Sequence, residues 1–134
     1  MSYDAFFQEM TGGCAPWSWQ EGLAEEPLCG NQTLRVPTGF GKTHGVVGCW
    51  LWHRVQRNAN DWPRRLVWCL PMRVLVEQTG DEISAALQRL DLLWNSGRDH
   101  ATRSWGAAIP VPGISIRSIS RSLSAPRICC CRVH

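Results

Sequence analysis

A Gly-x-Gly-Lys-Thr cluster at residues 39–43, set between a run suited to a strand and a run suited to a helix, leaves this chain the least freedom. Asn31 to Val36 has strand character and enters the stretch VPTGFGKT at 36–43; Lys42 to about Gln56 has helix character and leaves it. Strand, glycine turn and Gly-Lys-Thr opening a helix is the layout of a phosphate-binding loop. Gly39 and Gly41 can take backbone angles closed to other residues, so that consecutive N–H groups point into one concavity. The helix start adds free N–H groups and the positive end of its dipole. In such a loop Lys42 reaches the β- and γ-phosphates and the Thr43 hydroxyl holds Mg²⁺. The strict pattern has glycine six residues before the lysine, where this chain has Val36.

The surrounding pattern predicts a small α/β domain. Val46, Val47, Trp50 and Leu51 recur at helical spacing after the loop, on a segment apolar nearly all round, as a helix packed on a sheet should be. Gly45 and Gly48 weaken that helix by roughly 1 kcal/mol each against alanine, which points to close backbone packing. Arg65 to Leu70 is a continuous apolar run of strand length, of the kind buried in parallel sheets. The two strands and the helix between them predict one βαβ unit. Pro71 then sits at the carboxyl end of the second strand, and Arg73 in the first turn of the helix that follows. In open parallel sheets that edge is where ligands bind, and an arginine there suits a backbone phosphate of a single nucleic-acid strand.

Ahead of the loop, Pro16-Trp17-Ser18-Trp19-Gln20 precedes a possible helix at Glu21 to Glu26. The Gln20 amide offers the donor and acceptor that adenine's N6 and N7 require, and Trp17 can lie against the base. Together, Trp17 and Gln20, the string VPTGFGKT and the string LPMRVLVEQT at 70–79 resemble the start of a superfamily 2 DExD/H-box helicase, in which the first position of the loop varies. They are most similar to the CRISPR-associated helicase-nuclease of type I systems, over about residues 14 to 90. The resemblance implies a partial RecA-like lobe, a short parallel sheet flanked by helices. It implies that Trp17, Gln20, Thr38, Gly39, Phe40, Gly41, Lys42 and Thr43 hold ATP with Mg²⁺, Lys42 being catalytic and Thr43 the metal ligand. It implies that Pro71 and Arg73 touch single-stranded DNA, and that the whole enzyme, an ATP hydrolase of antiviral defence, serves a CRISPR effector complex. The departures are large. Asp81-Glu82 follows no strand and reads as helix surface, so the acidic motif that handles Mg²⁺ and water in such enzymes is missing. The second lobe, its arginine finger and a nuclease His/Asp cluster are missing too. The chain therefore reads as a truncated helicase that grips ATP and does not split it. Two other readings stay open: a small stand-alone nucleotide-binding protein, and a non-enzymatic DNA-binding module using Arg73 and the basic tail.

Composition sets the outer bounds. At 134 residues with 44% apolar content the chain suffices for one modest domain. The segmentation reads as residues 1–30, carrying Trp17 and Gln20; 31–95, the partial lobe; and 96–134, an irregular Ser/Arg/Cys tail. A net charge of +3 argues little by itself, but acids dominate the first thirty residues and arginines the stretch after Asp99. No apolar run is long enough for a membrane span, and the acidic N-terminus is no secretory leader. Cys14, Cys29, Cys49 and Cys69 are scattered, as reduced thiols of a cytoplasmic protein are. Cys129-Cys130-Cys131 lacks zinc-ligand spacing. The tail's poor core pattern predicts weak order. It also fits a frameshift near residues 90 to 110, because its codons can be chosen so that another frame spells a helicase-like segment. Sequencing the coding DNA and its downstream flank tests that reading.

Overall fold

The computed structural model describes residues 1–92 and the backbones of 114–118 and 127–129. The chain divides into two compact units, Met1–Pro63 and Arg64–His134.

In the first unit, α1 (Tyr3–Thr11) starts under a Ser2 cap that accepts from the Ala5 N–H, and ends at Gly12, whose φ of 82° is the left-handed stop that glycine makes easily. It buries Phe6, Phe7 and Met10. Helix α2 (Ser18–Glu25) begins three residues before the expected start at Glu21, because the Gln20 Oε1 accepts from the Trp17 N–H and closes the first turn. Helix α3 (Lys42–Leu51) continues as a π-helical turn from Trp52 to Gln56, so the expected helix runs to its expected end with its last turn widened. All residues from Gly45 to Leu51 are buried. Within its own unit, helix α3 packs against α1 and α2. Its glycines mark the closest approaches: a Cβ on Gly48 would come within 2.9 Å of Met10 Cε, and one on Gly45 would run into the Trp19 ring.

The strand expected at Asn31–Val36 is not formed; residues 26–37 carry no helix or strand. A strand needs a partner edge for its N–H and C=O groups, and both edges of the strand at 66–70 are occupied by other segments. The βαβ unit expected across the loop is consequently absent.

The second unit builds its own sheet. Strand β1 (Leu66–Leu70) buries Leu66, Trp68 and Leu70 on one face and half-buries the intervening Val67 and Cys69. Helix α4 (Arg73–Arg89) follows and turns Val76, Thr79, Ile83, Ala86 and Leu87 inward at helical period, while Asp81 and Glu82 are exposed on its surface. Strand β2 (Ile114–Ser118) pairs parallel to β1 with Leu66 opposite Ile114, and β3 (Arg127–Cys129) pairs antiparallel with Trp68 opposite Ile128. The order is β2–β1–β3. The molecule is thus a small α/β fold whose sheet is mixed, where the sequence suggests a parallel one. Two segments of the expected irregular tail supply its outer strands; the rest of the tail, with Cys130 and Cys131, lies outside the described residues. Among the described residues, no helix is long and apolar enough to cross a membrane.

Candidate nucleotide-binding loop

The loop hangs between an irregular lead-in and the first turn of α3. Gly39 (φ 89°) and Gly41 (φ 70°) both adopt the left-handed backbone that other residues avoid. Gly41 caps α3, and its carbonyl accepts from the Gly45 N–H at 2.8 Å, the first bond of the helix. The N–H groups of Lys42, Thr43 and His44 precede any possible intrahelical acceptor, so the helix presents them at its positive end. The Phe40 N–H reaches back to the Pro37 carbonyl at 3.5 Å, which tightens the turn carrying Thr38 and Gly39.

Lys42 closes the loop on itself. Its Nζ donates to the Val36 carbonyl at 2.7 Å and to the Pro37 carbonyl at 3.0 Å. An ammonium has three N–H bonds, so one remains for an anion lying across the loop. The two carbonyls fix the charge in place and so lower the entropy cost of using it.

A second brace comes from α2. The Gln20 Nε2 donates to the Gly41 carbonyl at 2.9 Å, and its Oε1 accepts from the Trp17 N–H at 2.8 Å. Gln20 is 1% exposed. Gly41 is squeezed against it: a Cβ there would stand 2.9 Å from Gln20 Nε2. Over the same region Trp17 and Phe40 lie with ring centroids 5.4 Å apart at 49°, and both stay substantially exposed. The structure therefore brings Trp17, Gln20, Phe40, Gly41 and Lys42 together around one loop. The Gln20–Gly41 link was not readable from the sequence, since the partners are 21 residues apart and neither is unusual locally.

Pro71 and Arg73 belong to the second unit. Pro71 occupies the bend after β1, and Arg73 opens α4, where its Nε lies 3.3 Å from Glu77 Oε1 in an exposed i,i+4 pair. Such an exposed pair contributes only about 0.3–0.5 kcal/mol.

For Mg²⁺ the chain offers little of its own. Thr43 is the one oxygen ligand in the first turn of α3, and among the described residues no group of three His, Cys, Asp or Glu side chains could hold a metal. Magnesium is usually held by one or two carboxylates together with substrate phosphates. Thr43 fits an ion carried in by a nucleotide and does not make a resident site.

A separate cleft of ≈ 420 Å³ in the first unit is lined by Tyr3, Asp4, Glu21, Ala24, Glu25, Trp52 and Arg57. Three carboxylates against one arginine make it a poor host for a polyphosphate. Burial pushes the Tyr3 hydroxyl's pKa up, so that group stays protonated. No family model, curated protein or solved structure matches the chain, so its chemistry has to be argued from these residues.

Proposed function

We propose that the chain binds a nucleoside triphosphate at residues 36–43, as the ATP-gripping part of a truncated DNA helicase of the CRISPR-associated type. The observation that carries the reading is the loop itself. Two left-handed glycines lead into the start of a ten-residue helix, and Lys42 is anchored on the loop's own carbonyls. Backbone N–H groups, a helix dipole and one held ammonium are what a triphosphate needs. ATP with Mg²⁺ is the ligand this implies, Thr43 meeting the ion that the nucleotide brings.

Hydrolysis is a different matter. Phosphoryl transfer needs a group to orient the attacking water and further charge on the γ-phosphate. Asp81 and Glu82, the acidic pair nearest to a helicase motif in sequence, are exposed in the third turn of α4. Calorimetric titration with MgATP is expected to show saturable binding that Lys42→Ala weakens at least about tenfold. A malachite-green assay is expected to show no Lys42-dependent phosphate release. Robust turnover would refute the truncated-motor reading, and an unaltered titration of Lys42→Ala would remove the loop as the site.

Two observations favour the second reading, a stand-alone nucleotide-binding protein: no strand feeds the loop, and the sheet is mixed. Single-stranded DNA separates the two readings. A motor fragment using Pro71 and Arg73 binds it with salt-sensitive affinity that Arg73→Ala reduces, whereas a stand-alone binder does not.

A further inference from the structure

Gln20 is the residue whose chemistry best suits adenine, and its surroundings deny it that use. Both ends of its amide are engaged within the protein, Nε2 on the Gly41 carbonyl and Oε1 on the Trp17 N–H. The side chain is 1% exposed, so neither its spare N–H nor its spare lone pair is open to a base. Turning it outward would break both bonds, costing the Trp17 N–H its side-chain partner and the Gly41 carbonyl the second of its two donors, the Gly45 N–H being the first.

What the loop does expose toward a base is aromatic. Trp17 is 54% exposed and Phe40 41%, with their rings in contact at 5.4 Å between centroids. Trp17 caps α2 with its N–H held by Gln20, and Phe40 lies between the two left-handed glycines, so each ring rides on a held backbone. An aromatic face stacks any base, because every base has a π-face, and carries no hydrogen-bond code.

We propose that this loop takes purine nucleoside triphosphates without distinguishing adenine from guanine, the base lying on the exposed Trp17–Phe40 pair, while Gln20 is a positioning residue that holds Gly41. The inference rests on residues 36–43 binding a triphosphate. It follows that affinity divides into two parts: phosphate contacts set by Lys42 and the braced loop, and stacking set by the two rings.

The test is calorimetry on the full chain with Mg²⁺ and three probes: inorganic tripolyphosphate, ATP and GTP. In the wild type, ATP and GTP are expected to bind within about threefold of each other. Trp17→Ala with Phe40→Ala is expected to weaken both nucleotides by about tenfold more than it weakens tripolyphosphate. Gln20→Glu keeps the acceptor for the Trp17 N–H and loses the donor to Gly41. It is expected to weaken all three probes alike with the ATP:GTP ratio intact, a pattern that loss of an adenine reader does not produce. An ATP preference of tenfold or more that Gln20→Glu abolishes would overturn the inference while leaving the phosphate loop standing. Failure of all three probes to bind the wild type would overturn both. The wild-type ratio needs no variant, so it decides the matter even if Gln20→Glu does not fold.

Discussion

A methyl group added at Gly45 and one added at Gly48 would meet very different neighbours. Both changes raise helix propensity by about 1 kcal/mol. At Gly45 the methyl would collide with the rigid Trp19 ring and stand 3.0 Å from Gln20 Cγ, on a side chain bonded at both ends of its amide. Overpacking of that kind costs about 1–3 kcal/mol and more than offsets the gain. At Gly48 the nearest atom is the terminal methyl of Met10, the end of a flexible side chain, and the buried Phe7 ring follows at 3.3 Å, a milder crowding. Urea denaturation is expected to show Gly45→Ala destabilised by about 1–2 kcal/mol and Gly48→Ala within about 0.5 kcal/mol of wild type; the reverse order would mean that α2 does not lie on this face of α3. His53 makes a second residue-scale prediction. It is 2% exposed, lies flat on Trp62 with ring centroids 3.8 Å apart, and bonds through Nε2 to the Ala24 carbonyl at 2.9 Å. Burial lowers its pKa from the ordinary 6.5, the Ala24 bond works against that, and Arg57 adds to the lowering. The unfolded chain therefore takes up the proton first as pH falls. The stability this histidine contributes is complete above about pH 6.5 and is lost as pH drops toward the folded value, at no more than about 1.4 kcal/mol per pH unit. Unfolding free energies measured from pH 7 to 5 should fall less steeply in His53→Gln than in wild type; parallel slopes would show that His53 titrates equally in both states. From sequence this histidine reads as structural, but its stacking partner nine residues on is a matter of how the π-turn and the following loop fold.

At the scale of elements, the local signals were legible where local energetics decide the outcome. Apolar periodicity marks α3 through Gln56, and the run Leu66–Leu70 is strand from end to end, whereas the face that α4 buries was not legible, Leu75 being exposed and Val76 buried. Asn31–Val36 forms no strand for a different reason, since strand character is only half of a strand and the other half is an edge that no local pattern names. Residues 114–118 and 127–129 took the edges of β1 instead, although their alternation of isoleucine with serine and arginine is no stronger than that of other segments. The loop itself was legible because its glycines carry a backbone requirement, and Gly41 shows how strong that requirement is. A side chain there must accept φ of 70° and also displace Gln20. The left-handed penalty is about 1–2 kcal/mol, and lost loop geometry comes on top of it. Gly41→Ala is expected to lower thermal stability measurably and to weaken tripolyphosphate binding by about tenfold or more. An alanine variant that binds as wild type does would show that the conformation at 41 is dispensable for the anion.

On the scale of the whole molecule, the hydrogen bonds described around the loop are made within residues 1–63. Gln20 and Lys42 brace it directly. Behind them, Trp50 Nε1 donates to the Pro63 carbonyl, Trp62 Nε1 to the Pro27 carbonyl and Cys49 Sγ to the Leu23 carbonyl, so three turns of chain are tied to α3 and the residues after it. The abundance of tryptophan, opaque in the sequence, has this structural use: Trp50 and Trp62 each pair a large buried surface with one N–H that anchors irregular backbone. The buried set of Phe6, Phe7, Met10, Val47, Leu51 and Trp62 is drawn from the same span. A chain of that length is near the lower limit for folding alone, so the outcome is informative either way. We expect a fragment ending at Pro63 to be helical by circular dichroism, to melt cooperatively, and to bind tripolyphosphate within about threefold of the full chain, with Lys42→Ala abolishing the difference from buffer. If the fragment is unfolded, or folded without affinity, then the residues beyond Pro63 support the anion site. In that case the truncated-motor reading, in which sheet and loop act as one lobe, gains over the stand-alone binder.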